Sequence, residues 1–397
     1  MNFSKEGHLF GGALLVAGTA IGGGMLALPV LTSAGGFFAA ILIYFLCWIF
    51  MTMTALIFME ISLWSREEVN IISMAENMLG MPGRIITWFL YLFLFYSLTV
   101  VYISGGGSLV KDVLSSMGHS HIPIRISPLI FVLIFAPFVV FGAKAVDRIN
   151  KILMVGLIFS FFLFLFFGFS HIKCHLLKRF DFPLALPAIP VVLTSFGFQG
   201  IVPTLTHYLG RDSLRVKKAI ILGSLIPLIT YILWEGLILG IIDQTGLEQA
   251  REMGQSAVSP LKMIIQSSWL YLVVEFFAFF AIVTSFLGVT LSLLDFLADG
   301  LKVKKTLLGR SLLACLIFLP PLVFAMIDPS IFLVALKYGG GFGCVLLLGL
   351  LPILMVWRGR YRLLYKSTYT LFGGRFILLL LFFFVIFELI LMLVKIN

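Results

Sequence analysis

Charge is the first thing this sequence lacks. Only 12% of its 397 residues are Asp, Glu, Lys or Arg, about half the share found in soluble domains. That is too little to cover a globular surface in water. Hydrophilic length is missing too: no polar stretch exceeds about 25 residues, which excludes a separate soluble domain. Cysteine is sparse, and three of the four (Cys47, Cys174, Cys315 and Cys344) lie in apolar runs, so no disulfide framework is implied. No GxxxxGKS/T follows a strand-like run, which leaves nucleotide binding and ATP-driven transport without support. The start, MNFSKEGHLF, has neither the charged region nor the small-residue cleavage site of a signal peptide. The first apolar run is therefore expected to be retained.

What is present is apolar length. The chain is 61% hydrophobic with a mean hydropathy of +1.12, and its runs are long enough to cross a hydrocarbon core of about 30 Å. Eleven spans are expected, near 9–31, 37–63, 84–109, 127–142, 149–169, 187–208, 218–242, 268–296, 308–327, 331–356 and 375–394. With the N-terminus inside, nineteen of the 28 Lys and Arg fall in cytoplasmic loops and eight on the other side, with Lys337 inside a span. Lys5, Arg66, Arg211 and Lys305 count on the inner side; Arg125, Lys173, Lys262 and Lys395 count on the outer. The bias predicts a cytoplasmic N-terminus and a periplasmic C-terminus. It also accounts for the net charge of +10 as a topology signal, so no nucleic-acid partner is expected.

Two spans are interrupted. The first contains GTAIGGGMLALP (18–29) and the sixth LTSFGFQGIVP (193–203). Glycine costs a helix interior about 1 kcal/mol relative to alanine, and proline about 3. If spans one to five (about 9–169) and six to ten (about 187–356) are two halves, each half opens on a break. Paired Gly/Pro interruptions of this kind point to an inverted-repeat transporter with its site at mid-membrane. Backbone that leaves the helix is tolerated only inside protein or beside a water-filled cavity. Its freed N–H and carbonyl groups there suit the carboxylate and ammonium of an amino acid. The glycines are expected to allow close approach and positive φ. The N–H groups of Gly22, Gly23 and Gly24 are expected to take the carboxylate, and carbonyls near Gly18–Ala20 and Phe196 the ammonium. Gly18 and Gly22 also form a GxxxG, by which membrane helices pack. The matching second break favours binding over packing alone.

GTAIGGGMLALP, TSFGFQGIVPTL and LGSLIPLITYILWEG (222–236) resemble the hydroxy/aromatic amino acid permease family, and TSFLGVTLSLLDFLAD (284–299) and FLPPLVFA (318–325) are similar to it too. The resemblance runs from about residue 8 to residue 395. It implies an all-α integral membrane protein of eleven helices, forming one transport domain over 1–397. The architecture would be a five-plus-five inverted repeat of the leucine-transporter (APC superfamily) type, with broken first and sixth helices and an extra eleventh helix near 375–394. It also implies proton-coupled uptake of aromatic amino acids, tyrosine or tryptophan, across a bacterial inner membrane. The substrate site carries over to Gly18, Thr19, Ala20, Ile21, Gly22, Gly23 and Gly24, and to Ser195, Phe196, Gly197, Phe198, Gln199 and Gly200. Gln199 departs from the pattern, in which tyrosine-carrying members have a histidine.

Other residues carry alternatives. Phe196 and Phe198 flank a break and can stack on an aromatic ring, while a chain with 41 Phe uses most of them for lipid contact or packing. Tyr96 is mid-span and can reach a ligand or make an ordinary interhelical hydrogen bond. Ionisable residues inside membranes are functional candidates. Glu235 is the most deeply placed acid and the first candidate to carry a proton, with Glu60, Glu275, Asp295 and Glu388 nearer span ends. Thr284 and Ser285 keep sodium coupling open. Lys151 is either a replacement for a bound cation or a topology charge. His119, His121, His171, Cys174 and His175 lie in outer loops, but no carboxylate pattern makes a zinc site of them; no metal or cofactor is expected. A membrane-embedded enzyme would need acids or histidines clustered at one face, and the inner loops are basic. A channel would need charged rings or carbonyl filters built by symmetry.

Overall fold

Short polar residues between the apolar runs start the helices. Asn70 accepts from the Ser73 N–H at 2.8 Å, Asp212 from the Leu214 and Arg215 N–H groups at 2.9 and 3.1 Å, and Thr306 from Gly309 at 3.2 Å. Each satisfies donors that a helix N-terminus leaves free. Pro29, Pro128, Pro190 and Pro203 stand in first turns, where a missing N–H costs nothing.

The computed structural model describes residues 7–64, 70–119, 123–264 and 268–393, and all regular structure among them is helical. Lys5, Arg66, His121 and Lys395 lie outside the described residues, as does the side chain of Lys262. In chain order the helices are α1 (Leu9–Ala20), α2 (Leu28–Thr32), α3 (Phe37–Trp64), α4 (Ile71–Ser116), α5 (Ser127–Phe141) and α6 (Ala143–Gly168). They continue with α7 (Ile189–Ser195), α8 (Val202–Tyr208), α9 (Ser213–Ile241), α10 (Ser268–Gly300) and α11 (Leu307–Ile327). The run Ile331–Tyr361, α12, contains two π segments, and α13 is Gly374–Leu393.

Among the described residues, ten helical runs are long and apolar enough to cross a membrane, with Phe182–Tyr208, which holds α7 and α8, counted as one. Ten of the eleven expected spans coincide with them. The remaining one, the first span at 9–31, does not form one helix: α1 stops after 12 residues, followed by a four-residue 3-10 turn and the five residues of α2. A membrane-crossing helix needs about 20. Span three also begins earlier than expected. α4 reaches back to Ile71 and kinks at Gly80, whose φ of 76° is left-handed and free of strain only for glycine.

The pieces of the first run are placed by long neighbours. α1 lies along α9, which also packs on α3, while α6 lies along α10 and α4 packs on α5, α10 and α11. The turn Gly23–Leu26 touches both α7 and α10, so the two interrupted segments meet inside the bundle. Among the largest fully buried side chains are Trp234, Tyr44, Tyr231, Phe196 and Phe198.

Candidate substrate site

The first run leaves the helix at Ile21 (φ −71°, ψ 111°) and Gly22 (φ −164°, ψ −166°), then turns through Gly23–Leu26 into α2. Both residues are extended, a conformation open to any side chain. None of Gly18, Gly22, Gly23 and Gly24 has a left-handed φ, which corrects one reason expected for these glycines. Space is the reason that holds. A Cβ on Gly22 would overlap the Ser285 hydroxyl, one on Gly23 would stand 3.0 Å from Tyr102 Cε1, and one on Gly24 3.0 Å from Ser195 Oγ. At Gly18 a Cβ would make only ordinary contact, 3.6 Å from Met154 Cε. The Gly23 N–H donates to Ser285 Oγ at 3.1 Å, so α10 reaches the break directly.

The second break follows α7. The Phe196 N–H turns back to the Val192 and Leu193 carbonyls at 3.1 and 3.2 Å, Gly197 to Thr194 at 3.1 Å, and Phe198 to Phe196 at 3.0 Å. A 3-10 turn, Gln199–Ile201, then leads into α8.

One side chain joins the two breaks. The Tyr231 hydroxyl of α9 lies 2.7 Å from the Ala20 carbonyl and 2.7 Å from the Ser195 carbonyl. Each is at the end of a half-helix, where carbonyls have no partner in the ladder. Phe196 packs edge-on against Tyr231 with ring centroids 5.0 Å apart. One turn further along α9, the buried Glu235 accepts a hydrogen bond from Tyr44 of α3 at 2.6 Å and one from Thr32, the last residue of α2. A single helix thus carries the hydroxyl that spans the breaks and an acid tied to the far end of the first segment.

With this geometry in place, the family follows from comparison with known proteins. The model of the tryptophan/tyrosine permease family matches residues 5–392. The chain is 36% identical over 389 residues to a tryptophan-specific transport protein of Haemophilus influenzae, covering 94% of this chain and 93% of that protein. It is also 35% identical over 383 residues to tyrosine-specific transport system 2 of the same organism (94% and 92% covered) and 37% identical over 381 residues to system 1 (93% and 92%). The chain belongs to the tryptophan/tyrosine permease family.

The remaining candidates of this permease fall in distinct places. Ser195 lies at the second break, its hydroxyl donating to Val191 at 2.9 Å. Phe196 and Phe198 are fully buried. Gln199 is buried against α3: its Nε2 donates to the Met51 carbonyl at 2.9 Å and to Thr54 Oγ1 at 3.0 Å, while Oε1 has no partner among the described residues. Thr19 is exposed and bonds the Leu15 carbonyl of its own helix at 2.7 Å. Thr284 likewise donates to Phe280 at 2.8 Å within α10, so of the two hydroxyls held open for a cation only Ser285 touches a break. Tyr96 donates to the Leu316 carbonyl at 3.0 Å. Pro320 leaves that carbonyl without its ladder partner, so Tyr96 supplies an interhelical donor there. Lys151 is exposed and paired with Asp147 at 2.7 Å. The buried Glu60 pairs with Arg360, whereas neither oxygen of the buried Glu388 has a partner among the described residues.

His119, His171, Cys174 and His175 are exposed, and among the described residues no three His, Cys, Asp or Glu gather as a metal site. Sequence reading missed Tyr231, Thr32 and Tyr44. A signal for the first was available: Tyr231 and Glu235 are i and i+4 in an otherwise apolar run, which puts two polar groups on one helix face.

Proposed function

We propose that this permease is a secondary transporter, not an enzyme, that imports aromatic amino acids across a bacterial inner membrane by alternating access. Tyrosine and tryptophan are its substrates, as the names of its relatives suggest, and a proton is the coupling ion. The first segment, in its broken form, is an eleventh crossing, and the chain is a five-plus-five repeat of the leucine-transporter type with a cytoplasmic N-terminus. The single observation that carries this reading is the Tyr231 hydroxyl, 2.7 Å from a half-helix carbonyl of each break. Two interrupted segments that share one partner at their broken ends form a single polar centre inside an apolar bundle. Such backbone is tolerated at membrane depth only where it is buried in protein or lines a cavity, and paired breaks of this kind mark the binding site of transporters.

In this reading the substrate ammonium competes with the Tyr231 hydroxyl for the Ala20 and Ser195 carbonyls, and the carboxylate competes with Ser285 for the Gly23 N–H. Glu235 carries the coupling proton. It sits one helical turn from Tyr231 and is held by Thr32, so a change in its protonation bears on both the bridging hydroxyl and the end of the first segment.

The test is uptake of labelled tyrosine, tryptophan and phenylalanine into proteoliposomes, with and without a proton gradient and with and without sodium. Uptake should collapse with a protonophore and persist without sodium. Strict sodium dependence overturns the coupling, in favour of a cation held near Ser285. Equal transport of alanine or leucine overturns the aromatic specificity.

A further inference from the structure

Among the described residues three carboxylates are buried, Glu60, Glu235 and Glu388, and two of them are satisfied. Glu60 is paired with Arg360 and accepts from the Leu371 N–H at 3.0 Å. Glu235 accepts from Tyr44 and Thr32. Glu388, on α13, has no partner for either oxygen among the described residues. The other charged residue of that helix, Arg375, is thirteen positions earlier, roughly 20 Å away along the axis, and lies over the Tyr361 ring.

Packing explains where this acid points. The buried residues of α13 are Leu378, Leu381, Val385, Glu388 and Met392, spaced so that they share one face, and the helix packs on α12 and α7. One turn before Glu388, Phe384 meets Phe50 of α3 with ring centroids 4.6 Å apart. One turn after it, Met392 and Pro190 of α7 both crowd the space beside Gly341. The titratable groups that interact with Glu388 are two buried thiols, Cys47 of α3 and Cys344 of α12; residues 186–195, which also pack on α13, include none. Cys344 Sγ donates to the Leu193 carbonyl at 3.6 Å, and a Cβ on Gly197 would lie 3.7 Å from the same sulfur. Cys344 thus adjoins both the acid and the second break. An ionised carboxylate without donors inside an apolar bundle is far costlier than a neutral one, so in this packing Glu388 holds a proton. Even neutral it is a buried polar group without a partner, which costs stability, and a methionine would fill its volume without that cost. The carboxyl finds a partner only when the packing opens.

We propose that Glu388 is a second proton-binding site, on the last helix of the chain, and that its proton passes to water each time α7 moves away from α13. With the proton bound, the neutral carboxyl lets α13 lie against α7 and α12 as it does here. When α7 shifts, water admitted beside Cys344 accepts the proton and solvates the carboxylate, and the proton must return before the packing closes again. Glu235, whose oxygens Tyr44 and Thr32 satisfy, remains the coupling residue; Glu388 gates the movement of the second broken segment. The inference rests on the transport reading above and adds to it a proton site away from the substrate.

The experiment measures initial uptake of labelled tyrosine into proteoliposomes over a series of external pH values, with the melting temperature of each protein. Wild type is compared with Glu388→Met, Glu388→Gln and Glu388→Asp. Glu388→Met loses the unpartnered group, so it should melt higher than wild type and yet take up tyrosine at least tenfold more slowly. Glu388→Gln has no proton to release and should be slowed as much, with a pH profile unlike that of wild type. Glu388→Asp keeps an acid and should be faster than either. Uptake by Glu388→Met and Glu388→Gln within twofold of wild type, with its pH profile, makes the acid a passive packing residue and overturns the proposal. Should neither variant insert, the native thiols serve: with Cys174 and Cys315 replaced by Ser, Cys47 and Cys344 should resist N-ethylmaleimide alone and react once tyrosine is added. No reaction with tyrosine present overturns the proposal, because water then never reaches this layer. Wild type that carries no aromatic amino acid fails the transport reading. Wild type that carries tyrosine alongside variants of unchanged rate and profile fails only the assignment of Glu388.

Discussion

The first break is closed by side chains from three other segments, whereas the second leaves one of its glycines facing open space. Ser285, Tyr102 and Ser195 occupy the volume that Cβ atoms on Gly22, Gly23 and Gly24 would need, while a Cβ on Gly200 would meet nothing. The difference shows two uses of glycine within one site. In the first segment it lets two hydroxyls and a ring come close, and one of them, Ser285, takes up the Gly23 N–H that a helix would have used. In the second it keeps volume empty. Both segments lose helix at mid-run, so the distinction lies in what approaches them rather than in the backbone.

Gly23→Val strikes the crowded break and should have the largest effect: uptake falls at least a hundredfold while the protein still reaches the membrane, because the new methyl groups enter the space of Tyr102 and Ile282. The companion Gly18→Ala, whose Cβ meets only Met154 at 3.6 Å, should stay within twofold. If Gly23→Val binds tyrosine normally, the crowding has no functional meaning and the two breaks do not differ as described.

Glu235→Gln comes next. The amide keeps the volume and can still accept from Tyr44, but it carries no proton, so concentrative uptake should disappear while exchange of internal for external tyrosine persists. Accumulation against a gradient by this variant would place the coupling proton elsewhere.

Tyr231→Phe and Ser285→Ala separate the bridge from the single contact. Removing the Tyr231 hydroxyl takes away the one proton that the buried Ala20 and Ser195 carbonyls share. An orphaned buried polar group costs about 1–3 kcal/mol, and 1.4 kcal/mol is tenfold, so uptake should drop ten- to a hundredfold with a lower melting temperature. Ser285→Ala loses one hydrogen bond to the break, beside the one to Ala281 of its own helix; a single such bond contributes about 0.5–1.5 kcal/mol, so uptake should fall threefold to tenfold. A larger loss for Ser285→Ala than for Tyr231→Phe would make α10, not α9, the element that holds the breaks together.

Lys151→Ala should have the smallest effect, under twofold in uptake. Its pair with Asp147 is solvent-exposed on both sides, and such pairs contribute about 0–1 kcal/mol. A tenfold loss would bring α6 into the coupling machinery.

Much of the fold was legible in the chain. Apolar length located ten of the crossing segments, and Gly and Pro located both breaks, because hydrocarbon thickness and helix propensity act on consecutive residues. The candidate site was legible only in its backbone. Thr284 and Ser285 read alike in sequence, yet one bonds its own helix and the other the Gly23 N–H, since adjacent helical positions point about 100° apart and only packing says which direction meets a neighbour. Gln199 stands at the second break in the sequence, and only the tertiary structure shows its amide donating to α3.

The sequence by itself thus determined that this is a helical membrane protein, where its segments run, where two of them break, and the family it resembles. All of these depend on local composition and on motifs a few residues long. Only the tertiary structure decided what fills each break. The partners that matter are far apart in the chain: Tyr231 is 211 residues from Ala20, and Ser285 is 262 from Gly23. A hydroxyl's choice among many possible carbonyls and N–H groups is made by the packing of whole helices, which brings one of them within 3 Å and leaves the others out of reach.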